Sequence, residues 1–229
     1  MKNKGYFIVI DGCDAAGKDT SIETVKDYFK ENTKEKDVIV TREPGGTYYG
    51  EQIRKMLLDV TEDKEEMSID TELLLFFASR KQLINEVIKP NLKEDNIVIA
   101  NRWTSSTYTY QKLRGAEPYK ILALDNMFCD VEPDLFIYLD VDPEVTIERI
   151  NKNRGGKLER TETFDLEAIK EIREGYKEYM KTVKNCITID ANQPKEKVLS
   201  DVEEELHKHF DSKKKSNKKY YSHDSGPGF

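Results

Sequence analysis

With 229 residues, a net charge of −7, 37% hydrophobic and 35% charged residues, the chain suits one α/β domain with an accessory flap rather than two full domains. The acidic balance argues against a broad basic grip on nucleic acid. Three scattered cysteines, Cys13, Cys129 and Cys186, lack metal-ligand spacing and fit a reducing compartment. No stretch is apolar for long enough to be a signal peptide or a membrane span, so the expectation is a cytoplasmic protein with no membrane or nucleic-acid partner.

In chain order, the apolar run Tyr6–Ile10 reads as a buried strand and leads into Gly12-Cys-Asp-Ala-Ala-Gly-Lys-Asp-Thr20. Gly12, four residues, then Gly17-Lys18 is the spacing of a phosphate-binding P-loop, and helical spacing follows at Ile22, Val25, Tyr28 and Phe29. Glycines let backbone amides wrap a phosphate, and Lys18 adds a full positive charge. The loop therefore binds a nucleoside polyphosphate through Gly12, Asp14, Ala15, Ala16, Gly17, Lys18, Asp19 and Thr20. Asp19 stands where a magnesium-binding hydroxyl is usual. It either helps hold a metal or faces solvent at the helix start, where negative charge is favoured.

A second strand, Val38–Thr41, ends in Arg42-Glu43-Pro44-Gly45-Gly46, a rigid charged loop at a strand end, where ligands bind. The next long helix is capped by Ser68 and is expected to stop at Pro90. Along it, Phe76 and Arg80 lie one turn apart on one face, a cradle for a planar base. Strand Ile97–Ala100 runs into Asn101-Arg102-Trp103. Arg102 can present its fork to a phosphate, and Thr107, Tyr110 and Gln111 share a face of the following helix. After strand Leu135–Leu139, Arg149, Lys152, Arg154, Lys157 and Arg160 crowd around Gly155-Gly156, a mobile lid over about 149–162 that closes on phosphates. The last strand is Ile187–Ile189.

Short apolar strands alternating with helices predict a P-loop, doubly wound, five-stranded parallel sheet with helices on both faces. One domain covers 1–210. Residues 211–229 hold five lysines and two aspartates and read as a solvated basic tail.

Together these residues resemble the thymidylate kinase family over about residues 5 to 205. Thr41-Arg-Glu-Pro-Gly-Gly-Thr47, Leu73-Leu-Leu-Phe-x-Ala-x-Arg80, and Arg102 with Ser106-Thr107-x-x-Tyr110-Gln111 carry the resemblance most specifically. It implies ATP-dependent phosphorylation of dTMP to dTDP with Mg2+, in a homodimer. It implies that Phe76 stacks on thymine, that Arg80 bonds its carbonyl, and that Thr107 or Gln111 reaches the base edge. Tyr110 would lie under the deoxyribose, Asp14 near the 3′-hydroxyl and Arg102 on the monophosphate, with Glu43, Pro44 and Ser106 completing the substrate site. Lys18, Arg102, Arg154 and Arg160 would carry the catalytic charge, and Asp190–Pro194 would meet adenine. Asp19, Asn101 and Trp103 depart from the family pattern, which leaves the magnesium ligands and the base selectivity open. Kinases of other deoxynucleoside monophosphates, a polyphosphate-dependent kinase and a non-catalytic P-loop protein are the alternatives.

Overall fold

The computed structural model describes residues 5–33, 35–58, 66–153 and 165–211. β1 (Tyr6–Gly12), β2 (Val38–Arg42), β3 (Ile97–Asn101), β4 (Leu135–Asp140) and β5 (Cys186–Asp190) form one parallel sheet in the order β2-β3-β1-β4-β5. Each expected strand is present, extended by one or two residues. β1, β3 and β4 are central and consist mostly of buried Val, Ile, Leu and Phe, which suits strands covered on both faces.

The chain steps from β1 over β3 to β2, and later from β3 over β1 to β4. The connections leaving β1 and β3 therefore diverge, opening a crevice at the carboxyl ends of these two neighbours. The loop after β1 and the turn after β3 both sit there.

Helix α1 (Lys18–Asn32) follows the loop, and α2 (Tyr48–Leu58) follows β2. Helix α3 (Ile69–Leu83) is capped by Ser68, whose Oγ accepts the Thr71 amide at 3.3 Å. Pro90 does not end this helix as expected. The chain passes through a π-helical turn at Ile84–Ile88 into α4 (Lys89–Lys93), with the Lys89 amide bonded to the Ile84 carbonyl. Wider i→i+5 bonding before the proline absorbs its missing donor, so the rod continues with Pro90 in the first turn of α4.

Helices α5 (Thr104–Leu113) and α6 (Pro118–Phe128) come between β3 and β4. α7 (Pro143–Asn153), α8 (Leu166–Met180) and α9 (Lys195–Leu206) complete the layers. Gly175 lets α8 lie close against α5: a Cβ there would stand 3.1 Å from Thr109 Cγ2. That close approach carries Tyr176 into the centre of the molecule, fully buried.

Candidate active site

Two cavities meet at the carboxyl ends of β1 and β3. The first is the mouth of the loop, lined by every residue from Asp14 to Thr20 together with Arg42, Asn101 and Arg102. Gly12 lies behind it, buried, and gives its carbonyl to the lysine. Lys18 Nζ donates to the Gly12 and Cys13 carbonyls at 3.0 and 2.7 Å. Burial first, then the neighbouring Arg102 charge, lower its pKa to about 8, against the opposing pull of Asp14 and Asp11. A polyanion in the loop would raise that value again. The Thr20 hydroxyl donates to the Gly17 carbonyl at 2.9 Å. Asp19 is exposed and accepts from Asn101 Nδ2 at 3.0 Å.

The second cavity is lined by all ten substrate-site residues expected from sequence: Asp14, Glu43, Pro44, Phe76, Arg80, Arg102, Ser106, Thr107, Tyr110 and Gln111. Helices α3 and α5 form its walls, one carrying Phe76 and Arg80, the other Thr107, Tyr110 and Gln111. The arginine does not rest on Phe76. Its guanidinium folds back over Phe77 at 4.8 Å and faces Trp103 at 5.3 Å, which leaves the Phe76 ring on the cavity wall.

Arg80 is 1% exposed, so its charge needs compensation. Nε donates to Glu43 Oε2 at 2.6 Å and Nη2 to Thr107 Oγ1 at 2.9 Å. Burial pushes the Glu43 carboxyl up, and Arg80 opposes that shift. Arg80 Nη1 and Glu43 Oε1 are buried with no hydrogen-bond partner. In residues that line a cavity, a buried donor and a buried acceptor without partners mark a candidate recognition edge. Gln111 is steadied by Glu72 Oε1, which accepts its Nε2 at 3.0 Å and also meets Arg114.

Glu43 and Pro44 are held by the loop after β2, which has a cis bond between them. Ser79 Oγ takes the Gly45 amide at 3.1 Å and Glu51 Oε1 the Gly46 amide at 2.8 Å. Gly46 has φ +77°, and an added Cβ would lie 2.3 Å from Thr41 Oγ1 and 2.7 Å from Leu83 Cδ1, so only glycine fits.

The cavities join at Arg102, which adopts φ +72°, an uncommon conformation for an arginine. Its guanidinium forms an ion pair with Asp14 and donates to Ser106 Oγ at 2.9 Å. Burial alone would raise the Asp14 pKa, but Arg102 and then Lys18 outweigh it and hold the carboxylate below its ordinary value. Tyr110 Oη donates to the same carboxylate at 3.2 Å. Arg154 and Arg160 lie outside the described residues.

Three residues of this region were not picked out from sequence. Arg54 on α2 lines both cavities and donates Nη1 to the Pro44 carbonyl at 2.9 Å. Its signal was modest: an arginine within an otherwise amphipathic turn next to the glycine-rich loop. Asp11 is fully buried and gathers the Gly12 amide, the Trp103 amide and the hydroxyls of Ser105, Ser106 and Tyr176. A lone carboxylate closing an apolar strand could have marked it. Tyr176 sits in the core spacing of α8 with Ile169, Ile172 and Tyr179, and nothing in that pattern separates it from packing.

A family model described as thymidylate kinase matches residues 10–202. Similar proteins include thymidylate kinases of Clostridium novyi (39% identical over 203 residues, 87% of this chain and 97% of that one) and Protochlamydia amoebophila (39% over 206 residues, 86% and 90%). A thymidylate kinase from Francisella tularensis subsp. holarctica is 40% identical over 206 residues, covering 89% of this chain and 96% of its own. Among solved structures, thymidylate kinase from Ehrlichia chaffeensis superposes with a TM-score of 0.70 at 28% identity, covering 90% of this chain and 98% of that one. With the P-loop, the second cavity and these matches running along almost the same residues, the chain belongs to the thymidylate kinase family.

Proposed function

We propose that the chain transfers the terminal phosphoryl group of ATP to the phosphate of dTMP, giving ADP and dTDP, in the cytoplasm. The observation that carries this reading is the junction of the cavities: Asp14, Glu43, Arg54 and Arg102 line both. A base seated between Phe76 and the Arg80–Glu43 edge directs its phosphate toward Arg102 and Arg54, next to the loop that takes the donor.

In the reaction, an oxygen of the acceptor phosphate bonds to the terminal phosphorus of ATP as the bond to the bridging oxygen breaks, and ADP leaves. No side-chain nucleophile is required. The protein brings polyanions together and aligns them. Lys18 and the loop amides hold the donor. Arg102 exchanges Asp14 for the acceptor phosphate, and Arg54 meets it from α2. The charge building on the transferred group is met by these cations, and Arg154 and Arg160 are further candidates by their charge alone. Magnesium, bound with the ATP phosphates, supplies further neutralisation. Asp19 and Asn101 fit it, because magnesium accepts one or two carboxylates alongside phosphates and waters. The Asp19 carboxylate stands at the loop mouth, and Asn101 Oδ1 has no hydrogen-bond partner.

A homodimer is part of the same proposal. Tyr48, Tyr49 and Met56 of α2, Leu74 of α3, and Tyr119 and Met127 of α6 are exposed large apolar groups, and α3 packs beside both α2 and α6. Clustered apolar exposure of this kind marks an association surface.

An ADP-release assay with dTMP, dUMP, dCMP, dAMP and dGMP, offering ATP or polyphosphate as donor, tests the reading. We expect kcat/KM to be highest for dTMP with ATP. A preferred acceptor other than dTMP would move the chain to another deoxynucleotide, and turnover with polyphosphate alone would overturn the assignment of the donor.

A further inference from the structure

The phenol of Tyr176 joins groups that belong to different halves of the site. Its Oη lies 2.9 Å from Asp11 Oδ1 and 3.2 Å from the Gly12 carbonyl at the base of the P-loop, sharing its proton between these acceptors. On the other side it lies 2.8 Å from Ser106 Oγ and accepts from Arg102 Nη1 at 3.3 Å. The Arg102 guanidinium is 3.8 Å from the same Asp11 carboxylate, and Asp11 also accepts the Trp103 amide at 3.2 Å. The ring is fully buried and stacks on Tyr138, with centroids 5.5 Å apart. Burial first, and then the Asp11 charge, push the Tyr176 phenol well above its ordinary range.

We propose that Tyr176 is a positioning residue that fixes the distance between the donor-phosphate loop and the acceptor-phosphate arginine. The inference rests on the proposed function, in which the loop takes ATP and Arg102 takes the acceptor. Within one buried carboxylate and one phenol, the structure locks the end of β1, the turn after β3 and the start of α5 to helix α8. Arg102 needs that lock. Its backbone has φ +72°, a costly conformation that persists only where its surroundings hold it. Asp14, Ser106 and Tyr176 supply those constraints on the side chain. Direct transfer depends on the register of two phosphates, and a displacement of about 1 Å costs roughly a hundredfold in rate.

Loss of the hydroxyl therefore has a distinct signature. Each nucleotide subsite stays intact by itself, because Tyr176 lines neither cavity. Only their mutual alignment is relaxed. Tyr176→Phe keeps the ring and its stacking and removes the four polar contacts. We expect kcat to fall by about ten- to a hundredfold, with the dissociation constants of ATP and dTMP, measured separately, within about threefold of wild type. A bisubstrate probe, adenosine and thymidine joined by five phosphates, should lose more affinity in Tyr176→Phe than either nucleotide alone, because it spans both subsites. Tyr138→Phe is the control: its hydroxyl bonds Asp140 at 3.1 Å, away from Arg102, so a lowered melting temperature with wild-type kcat is expected. Should Tyr176→Phe fail to fold, Asp11→Asn removes the carboxylate that accepts the Tyr176 hydroxyl, at a residue that also lines neither cavity, and carries the same test. A folded Tyr176→Phe enzyme with unchanged kcat and unchanged bisubstrate affinity overturns the inference while leaving the proposed function in place. Wild-type protein that neither binds dTMP nor phosphorylates it overturns both.

Discussion

Arg80 and Lys18 show how single charges are used differently on the two sides of the site. Arg80 is sealed in and paired with Glu43, and its Nη1 has no hydrogen-bond partner. Arg80→Ala should raise the KM for dTMP by about ten- to a hundredfold, the scale of a lost charged hydrogen bond, and leave the KM for ATP near wild type. The same change strands a buried carboxylate, so thermal or urea unfolding should show a loss of about 3 to 5 kcal/mol. Equal weakening of both nucleotides would make Arg80 purely structural. Lys18, with a pKa lowered to about 8 by burial and by Arg102, gives a pH prediction. Bound phosphates raise that value, so the complex holds more protons than the free protein near pH 8. ATP affinity should therefore fall as pH rises through about 8. Calorimetry in buffers of different ionisation enthalpy should register proton uptake near that pH in the wild type and none from this source in Lys18→Met.

At the scale of elements, the glycine-rich loop after β2 is a rigid spacer between strand and helix. Its amides are taken by Ser79 of α3 and Glu51 of α2, so α2, α3 and β2 share one brace around Glu43. Gly46→Ala meets both a left-handed backbone and two close atoms. We expect a loss of about 1 to 3 kcal/mol in unfolding free energy, together with a raised KM for dTMP, since Glu43 would shift with the loop. A melting temperature unchanged by this substitution would show that the loop can relax freely. The π-helical turn before Pro90 belongs to the same scale. A proline in an apolar periodic run signals a stop, yet packing of Leu83, Ile84 and Ile88 into the core outweighs the local preference and keeps the rod continuous.

For the whole molecule, the exposed apolar groups on α2, α3 and α6 predict self-association. Leu74→Asp with Tyr119→Lys should turn a dimer into a monomer in sedimentation equilibrium, and a wild-type monomer at micromolar concentration would refute the dimer. Arg160→Ala is expected to cut kcat by about a hundredfold or more, the scale of a lost phosphate-directed arginine; a change confined to KM would make Arg160 a docking residue. The sequence by itself determined the five strands, the P-loop and the Phe76–Arg80 and Thr107–Tyr110–Gln111 helix faces that line the second cavity. The reason is that each is written locally: apolar runs, glycine spacing, and side chains three and four apart on a helix. Tertiary structure alone decided what those residues do to one another. Arg80 turns from Phe76 to Phe77 and Trp103 because Glu43, 37 positions away, takes its Nε. Arg54 reaches both cavities because the β2–α2 loop aims it there. Asp11 and Tyr176, 165 positions apart, meet only because Gly175 lets α8 close on α5. No spacing rule encodes such a contact, since its partners come together only when the sheet brings the carboxyl ends of β1 and β3 side by side.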